Sequence, residues 1–96
     1  MRADYDSKGD TIQIEIVAAD RLDRDDSSVS GVIVGISGEK PALIDLIGTS
    51  PGVDDRLRAV AKRHGLDADA LIAAAHAALA APDRTVTVDV AVRAAA

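Results

Sequence analysis

Tyr5, Asp6 and Asp10 form the most chemistry-like group in the chain, two carboxylates four residues apart beside its single phenol. Such a pair serves as general acid and general base when its surroundings push the two proton affinities apart. No histidine stands near it in sequence, and Ser7-Lys8-Gly9-Asp10 reads as a hairpin turn with Gly9 as its left-handed residue. Aspartates beside a turn accept hydrogen bonds from its amides, and a tyrosine there lays its ring on the sheet. Tyr5, Asp6 and Asp10 are therefore expected to be a structural motif, and no catalytic residue is assigned.

The acidic stretch 20–26 holds Asp20, Asp23, Asp25 and Asp26. Asp23, Asp25 and Ser27 have the alternate spacing that opens a calcium loop. Ser28 then stands where such a loop turns on glycine, and Val34 stands where it needs a bidentate glutamate. A solvated loop is the expectation. His64 and His76 are the only histidines. His64 falls near the end of an apolar helical stripe, where the helix dipole favours a cation. The two lie on different predicted helices, and no metal site is assigned to them. There is no cysteine, so disulfides and thiolate chemistry are excluded. The glycines of GVIVGISG precede no helix N-terminus, so they predict no phosphate cradle. No cofactor is expected.

The elements that would position these residues are legible. Residues 11–18, TIQIEIVA, alternate strictly, with Ile12, Ile14 and Ile16 on one face. Arg2–Asp6 fits a short strand ahead of that turn, and residues 19–30 form a polar loop. VSGVIVGIS and PALIDLIG make a second hairpin around Gly38. Val32, Val34 and Ile36 share a face, while Ile33 lies opposite between Gly31 and Gly35, leaving that side nearly bare. Leu43, Asp45 and Ile47 face away from Ala42, Ile44 and Leu46.

Ser50 as N-cap, Pro51 at the first position and Asp54 and Asp55 in the first turn open a helix that Gly65 closes. Asp67 caps a second helix over Ala68 to Ala81. RTVTVDVAV then places Val86, Val88, Val90 and Val92 on one face, and the tail Arg93–Ala96 is expected to fray. The result is one domain, residues 1–96. Its class is α+β: an antiparallel β-meander of about four strands, a helical hairpin and a C-terminal strand, in two layers. The last strand must find an open sheet edge, in its own chain or a neighbour's.

Residues 4–50, about half the chain, resemble a family of small bacterial proteins of unassigned activity. These open with YDxxxDxxxI and continue with a GxIV…IEI pair. The matching residues are Tyr5-Asp6, Asp10, Ile12, Ile14 and Ile16, then Gly31-Val32-Ile33-Val34, then Ile44-Asp45-Leu46 with Asp45 where the family has glutamate. The resemblance implies a small antiparallel meander and no activity.

Composition narrows the function. A net charge of −5 and a pI near 4.7 oppose general nucleic-acid binding, and one aromatic residue supplies no base-stacking platform. LRAVAKRHGLDADALIAAAHAAL has the look of the helix pair in ribbon-helix-helix regulators, but neither face of PALIDLIG could read bases. A DNA-binding or antitoxin-like regulator is thus the second reading. MRADYDSKGD lacks the apolar core of a signal peptide, and no apolar run approaches the roughly 20 residues of a membrane span. A cytoplasmic, bacterial, acidic protein is expected. Ile33, Leu43 and Ile47 project from the sheet side that the helices leave uncovered. They predict a non-enzymatic domain that acts through protein contacts, as a homo-oligomer or with a protein partner.

Overall fold

Alternating side chains sort the strands onto two faces. In the computed structural model, which describes residues 1–50 and 52–88, Ile12, Ile14, Val34, Ile44 and Leu46 lie fully inside. The strands are β1 (Arg2–Asp6), β2 (Thr11–Glu15), β3 (Arg24–Asp26), β4 (Val32–Ser37) and β5 (Lys40–Ile47). Helices α1 (Val53–His64) and α2 (Ala68–Ala80) follow, then β6 (Val86–Thr87). All pairings are antiparallel, in the order β3-β4-β5-β2-β1-β6. The α+β class is as expected, with both helices on the inner face.

The helices differ in how they approach the sheet. Ala70, Ala74, Ala75 and Ala78 are buried, and these small side chains let α2 lie close over β1 and β2. Leu57 and Val60 of α1 fill the remaining core. Asp67 caps α2, accepting the Ala70 amide at 3.2 Å. Gly65 ends α1 in the left-handed conformation (φ 68°). No helix among the described residues is long and apolar enough to cross a membrane.

Several expectations change. Among the described residues the sheet has six strands, and it is not a simple meander. The chain leaves β2, passes β5 and β4 and starts β3 at the far edge, where the Asp23 amide donates to Ile36. β3 lies inside the expected polar loop; its charged sequence, Arg24-Asp25-Asp26, carries no apolar alternation to announce it. Ser50 does not cap α1. Gly52 takes that place in a left-handed conformation, with no side-chain cap. The left-handed residue of the first turn is Asp10 (φ 50°) rather than Gly9. The last strand pairs with its own chain: β6 lies on the free edge of β1, and Val88 donates to the Met1 carbonyl. The expectations for Pro51, Val90, Val92 and the tail Arg93–Ala96 lie outside the described residues.

Candidate functional site

At one end of the sheet the first turn, the β5–α1 loop and the α2–β6 connection meet. Asp6 accepts the amides of Lys8 (3.1 Å) and Gly9 (3.2 Å), the expected turn role. Asp10 departs from it. Its left-handed backbone aims the carboxylate away from its own turn, toward Thr49, whose amide (3.2 Å) and hydroxyl (2.8 Å) both donate to it. Tyr5 donates its hydroxyl to the same carboxylate at 2.9 Å. These bonds, Thr49 first and Tyr5 next, hold Asp10 below the usual carboxylate range. The Asp10 carboxylate in turn pushes the Tyr5 phenol up. Asp10 is thereby kept ionised and fully engaged, so it works as a brace between β1, β2 and the β5–α1 loop.

Arg56 of α1 completes this end. Its guanidinium donates to the carbonyls of Gly31 (3.1 Å), Ile47 (3.2 Å) and Gly48. One planar fork thus ties the start of β4 and the end of β5 to the helix. The sequence reading missed this role, because Arg56 looks like one more solvated base beside Arg58, Lys62 and Arg63. Gly31 and Gly48, both with positive φ, were the available signal of backbone brought close to something.

The opposite corner is a polar cleft of about 410 Å³ between β3, the β4–β5 turn and the end of α1, bordered by Arg24, Asp26, Glu39, Arg63 and His64. Asp26 accepts from Arg63 Nε at 2.6 Å and from the Ser28 amide and hydroxyl. The Ser28 hydroxyl, then Arg63, depress its proton affinity strongly. His64 Nε2 lies 2.9 Å from Asp26 but out of hydrogen-bond alignment, so the contact becomes an ion pair only when the imidazole is protonated. A serine–histidine relay needs the imidazole between hydroxyl and carboxylate. Here the carboxylate is in the middle, so His64 cannot draw the proton from Ser28. His76 is engaged elsewhere, 2.8 Å from Asp54. Among the described residues no three His, Asp or Glu come together as a metal site.

The outer sheet face carries the remaining candidates. Ile33, Leu43 and Ile47 all lie on it, as read from the sequence. Ile33 is 36% exposed and Ile47 is 50% exposed. Register sets Ile33 beside Asp45, then Gln13, then Asp4; the next row runs Gly35, Leu43, Glu15, Arg2. The apolar side chains therefore sit on β4 and β5, where Asp45 stands between Leu43 and Ile47, while β2 and β1 are polar. The expected bareness at Gly35 is partly filled. Leu22 crosses over it, and a Cβ built on Gly35 would lie 2.5 Å from Leu22 Cδ1. Leu22 and Val17 extend the stripe, at 41% and 51% exposed. Comparison with known protein families, curated proteins and solved structures gives no match.

Proposed function

We propose that the chain is a non-enzymatic domain that acts through protein–protein contact, made by the outer face of β4 and β5, and that it self-associates there. The observation that carries this reading is the stripe of Ile33, Leu43, Ile47, Leu22 and Val17. Ile33, Leu43 and Ile47 lie on two interior strands whose other face is the core, and Leu22 and Val17 join them from the β2–β3 connection. Interior strands have no free backbone edge, so their outer side chains are what they offer a partner. The carboxylates that could have done acid–base work support it from the other side. Asp6, Asp10 and Asp26 are all tied to neighbouring donors. The bacterial family that residues 4–50 resemble carries no assigned activity, and this reading assigns none.

The DNA-binding or antitoxin-like alternative would need the strand before α1 to enter a groove. That strand is β5, paired on both edges by β4 and β2. A net charge of −5 also opposes it.

Light scattering after size exclusion tests the proposal. A dimer or larger species is expected at micromolar concentration. Ile47 has half its surface left to bury, which corresponds to about 1 kcal/mol. In a symmetric dimer the residue counts twice, so Ile47→Lys should weaken association by roughly 30-fold. Leu43→Lys should act in the same direction. A monomer for the unmodified chain would overturn the self-association.

A further inference from the structure

Asp45 is the carboxylate that stands inside the apolar part of the outer face. It is half-buried on β5 between Leu43 and Ile47, opposite Ile33 on β4. It accepts the neutral Gln13 amide at 3.1 Å and makes no ion pair among the described residues. The other carboxylates of this face are set differently. Asp4 and Glu15 stand on the polar strands β1 and β2, and Asp25 is exposed on the edge strand β3. A cation lies nearby. Arg21 belongs to the segment that crosses from β2 to β3, and it borders the same notch as Val17, Leu22, Ala42 and Leu43. Ala42 follows Leu43 on the side away from Asp45, so Leu43 stands between Arg21 and Asp45. Arg21 is exposed and makes no hydrogen bond or ion pair among the described residues, whereas Arg2 is already held by Glu15 at 2.9 Å.

A second copy that covers Ile33, Leu43 and Ile47 also takes Asp45 out of water. A carboxylate buried with one neutral hydrogen bond is costly unless a cation meets it. We infer that the cation is Arg21 of the second copy, so that two chains pack face to face with Asp45 of each against the partner's Arg21. Two-fold symmetry makes this possible, because matched residues then lie at equal distances on either side of the axis. Asp45 stands about 7 Å from Leu43 along β5 at the usual strand rise, and Arg21 lies on the other side of Leu43. An axis in the contact plane that crosses β5 near Leu43 closes both ion pairs at once. It also turns Ile33 and Ile47 of one copy toward the Val17 and Leu22 end of the other. A shifted register would set Asp45 against apolar side chains or a second carboxylate, so the pair fixes the register as well as the occupant. The pairing presupposes self-association through the outer face, and it names the charges that meet there.

Charge exchange in the full chain, read by light scattering after size exclusion, tests the pairing. In a homodimer Asp45→Arg brings two arginines together twice, and Arg21→Asp does the same with two aspartates. Each variant alone should associate at least about 30-fold more weakly than the unmodified chain. An equimolar mixture of the two should dimerise about as tightly as the unmodified chain, because every contact of the mixed dimer is then arginine against aspartate. A mixture of two folded variants no tighter than its components would overturn the inference. Melting curves establish that both variants are folded. If Asp45→Arg is not, the neutral pair carries the test: Asp45→Asn and Arg21→Gln should each weaken association about tenfold, and the double variant should be no weaker than either. Additive losses would overturn the pairing. So would tighter association of Asp45→Asn, the result expected of a carboxylate that enters the contact with no cation. A monomeric unmodified chain removes self-association and this pairing with it. A dimer indifferent to all these variants removes the pairing alone and leaves the outer-face contact standing.

Discussion

Replacing Arg56 by methionine tests whether the end of the sheet that frames the stripe is held by one side chain. Methionine keeps the apolar stem of arginine and removes the fork. Besides a long 3.4 Å bond from Nε to Gly52 at the helix start, three carbonyls lose a charged donor: Gly31, Ile47 and Gly48. The bond to Gly48 is partly shielded from water, and a charged hydrogen bond there contributes about 1.5–3 kcal/mol. The other two face solvent, and each contributes about 0.5 kcal/mol. The sum is roughly 3 kcal/mol, a large share of the 5–15 kcal/mol expected of a domain this size. It corresponds to a fall in Tm of about 12–24 °C. Arg56→Lys should recover only part of the loss, because an ammonium reaches one carbonyl well but cannot span three. Urea melts of the three proteins decide the matter. If Arg56→Met stays within about 0.5 kcal/mol of the parent, Arg56 is a solvated base of the helix and the clasp contributes nothing.

Other consequences are open to measurement. Tyr5 is the single tyrosine, so phenolate absorbance reads it alone; it should ionise above the ordinary value of about 10, and Asp10→Asn should bring the midpoint back down. An unchanged midpoint would remove the Asp10 brace. Asp10, Asp26 and Asp83 all have depressed proton affinities in the folded chain, set chiefly by Thr49, Ser28 and the Ser7 amide. Their stabilisation is present above the unfolded carboxylate value and is lost progressively as the pH falls from there through the lower folded values, so urea midpoints should drop below about pH 4. Asp26→Asn should flatten that decline, and an identical acid profile in the variant would contradict the assignment. Val88 packs against the core from the inner face and Thr87 points outward. Val88→Asp should therefore lower stability by about 1–3 kcal/mol, and Thr87→Asp by well under 1. Equal melting temperatures would place β6 outside the cooperative unit.

What could be read in advance followed physical locality. The alternation in residues 11–16 and 32–36 specified both faces of β2 and β4, because each side chain's direction depends only on its own strand. Asp67 and Gly65 marked helix ends for the same reason: a cap bonds within one turn. Strand order was not legible. Whether β2 pairs with β5 depends on the path of residues 19–23, which carry no periodicity. Asp10 looked like a second turn aspartate, and its true partner, Thr49, is far along the chain. Arg56 was hidden similarly, since a side chain that bonds backbone carbonyls leaves no residue-type pattern in its partners.

Two local oddities did point to the outer face. Leu22 is the only large apolar residue in the polar, charged stretch 18–28, and Gly35 interrupts a run of β-branched residues. A glycine inside a strand marks a place where something approaches closely, and a lone leucine in a loop needs an apolar surface to lie on. Taken together they predict one another: Leu22 lies on the surface that the missing Cβ of Gly35 opens. The chain thus covers part of its own stripe with a residue from the β2–β3 connection. It leaves Ile33 and Ile47 bare on the same two strands, although the neighbouring β1 and β2 carry Arg2, Asp4, Gln13 and Glu15 at the equivalent outward positions. The fold can therefore place polar side chains on this face, and it can shield apolar ones there. Among the described residues, Ile33 and Ile47 receive neither treatment and stand on β4 and β5, and that is the ground on which the contact surface is proposed there.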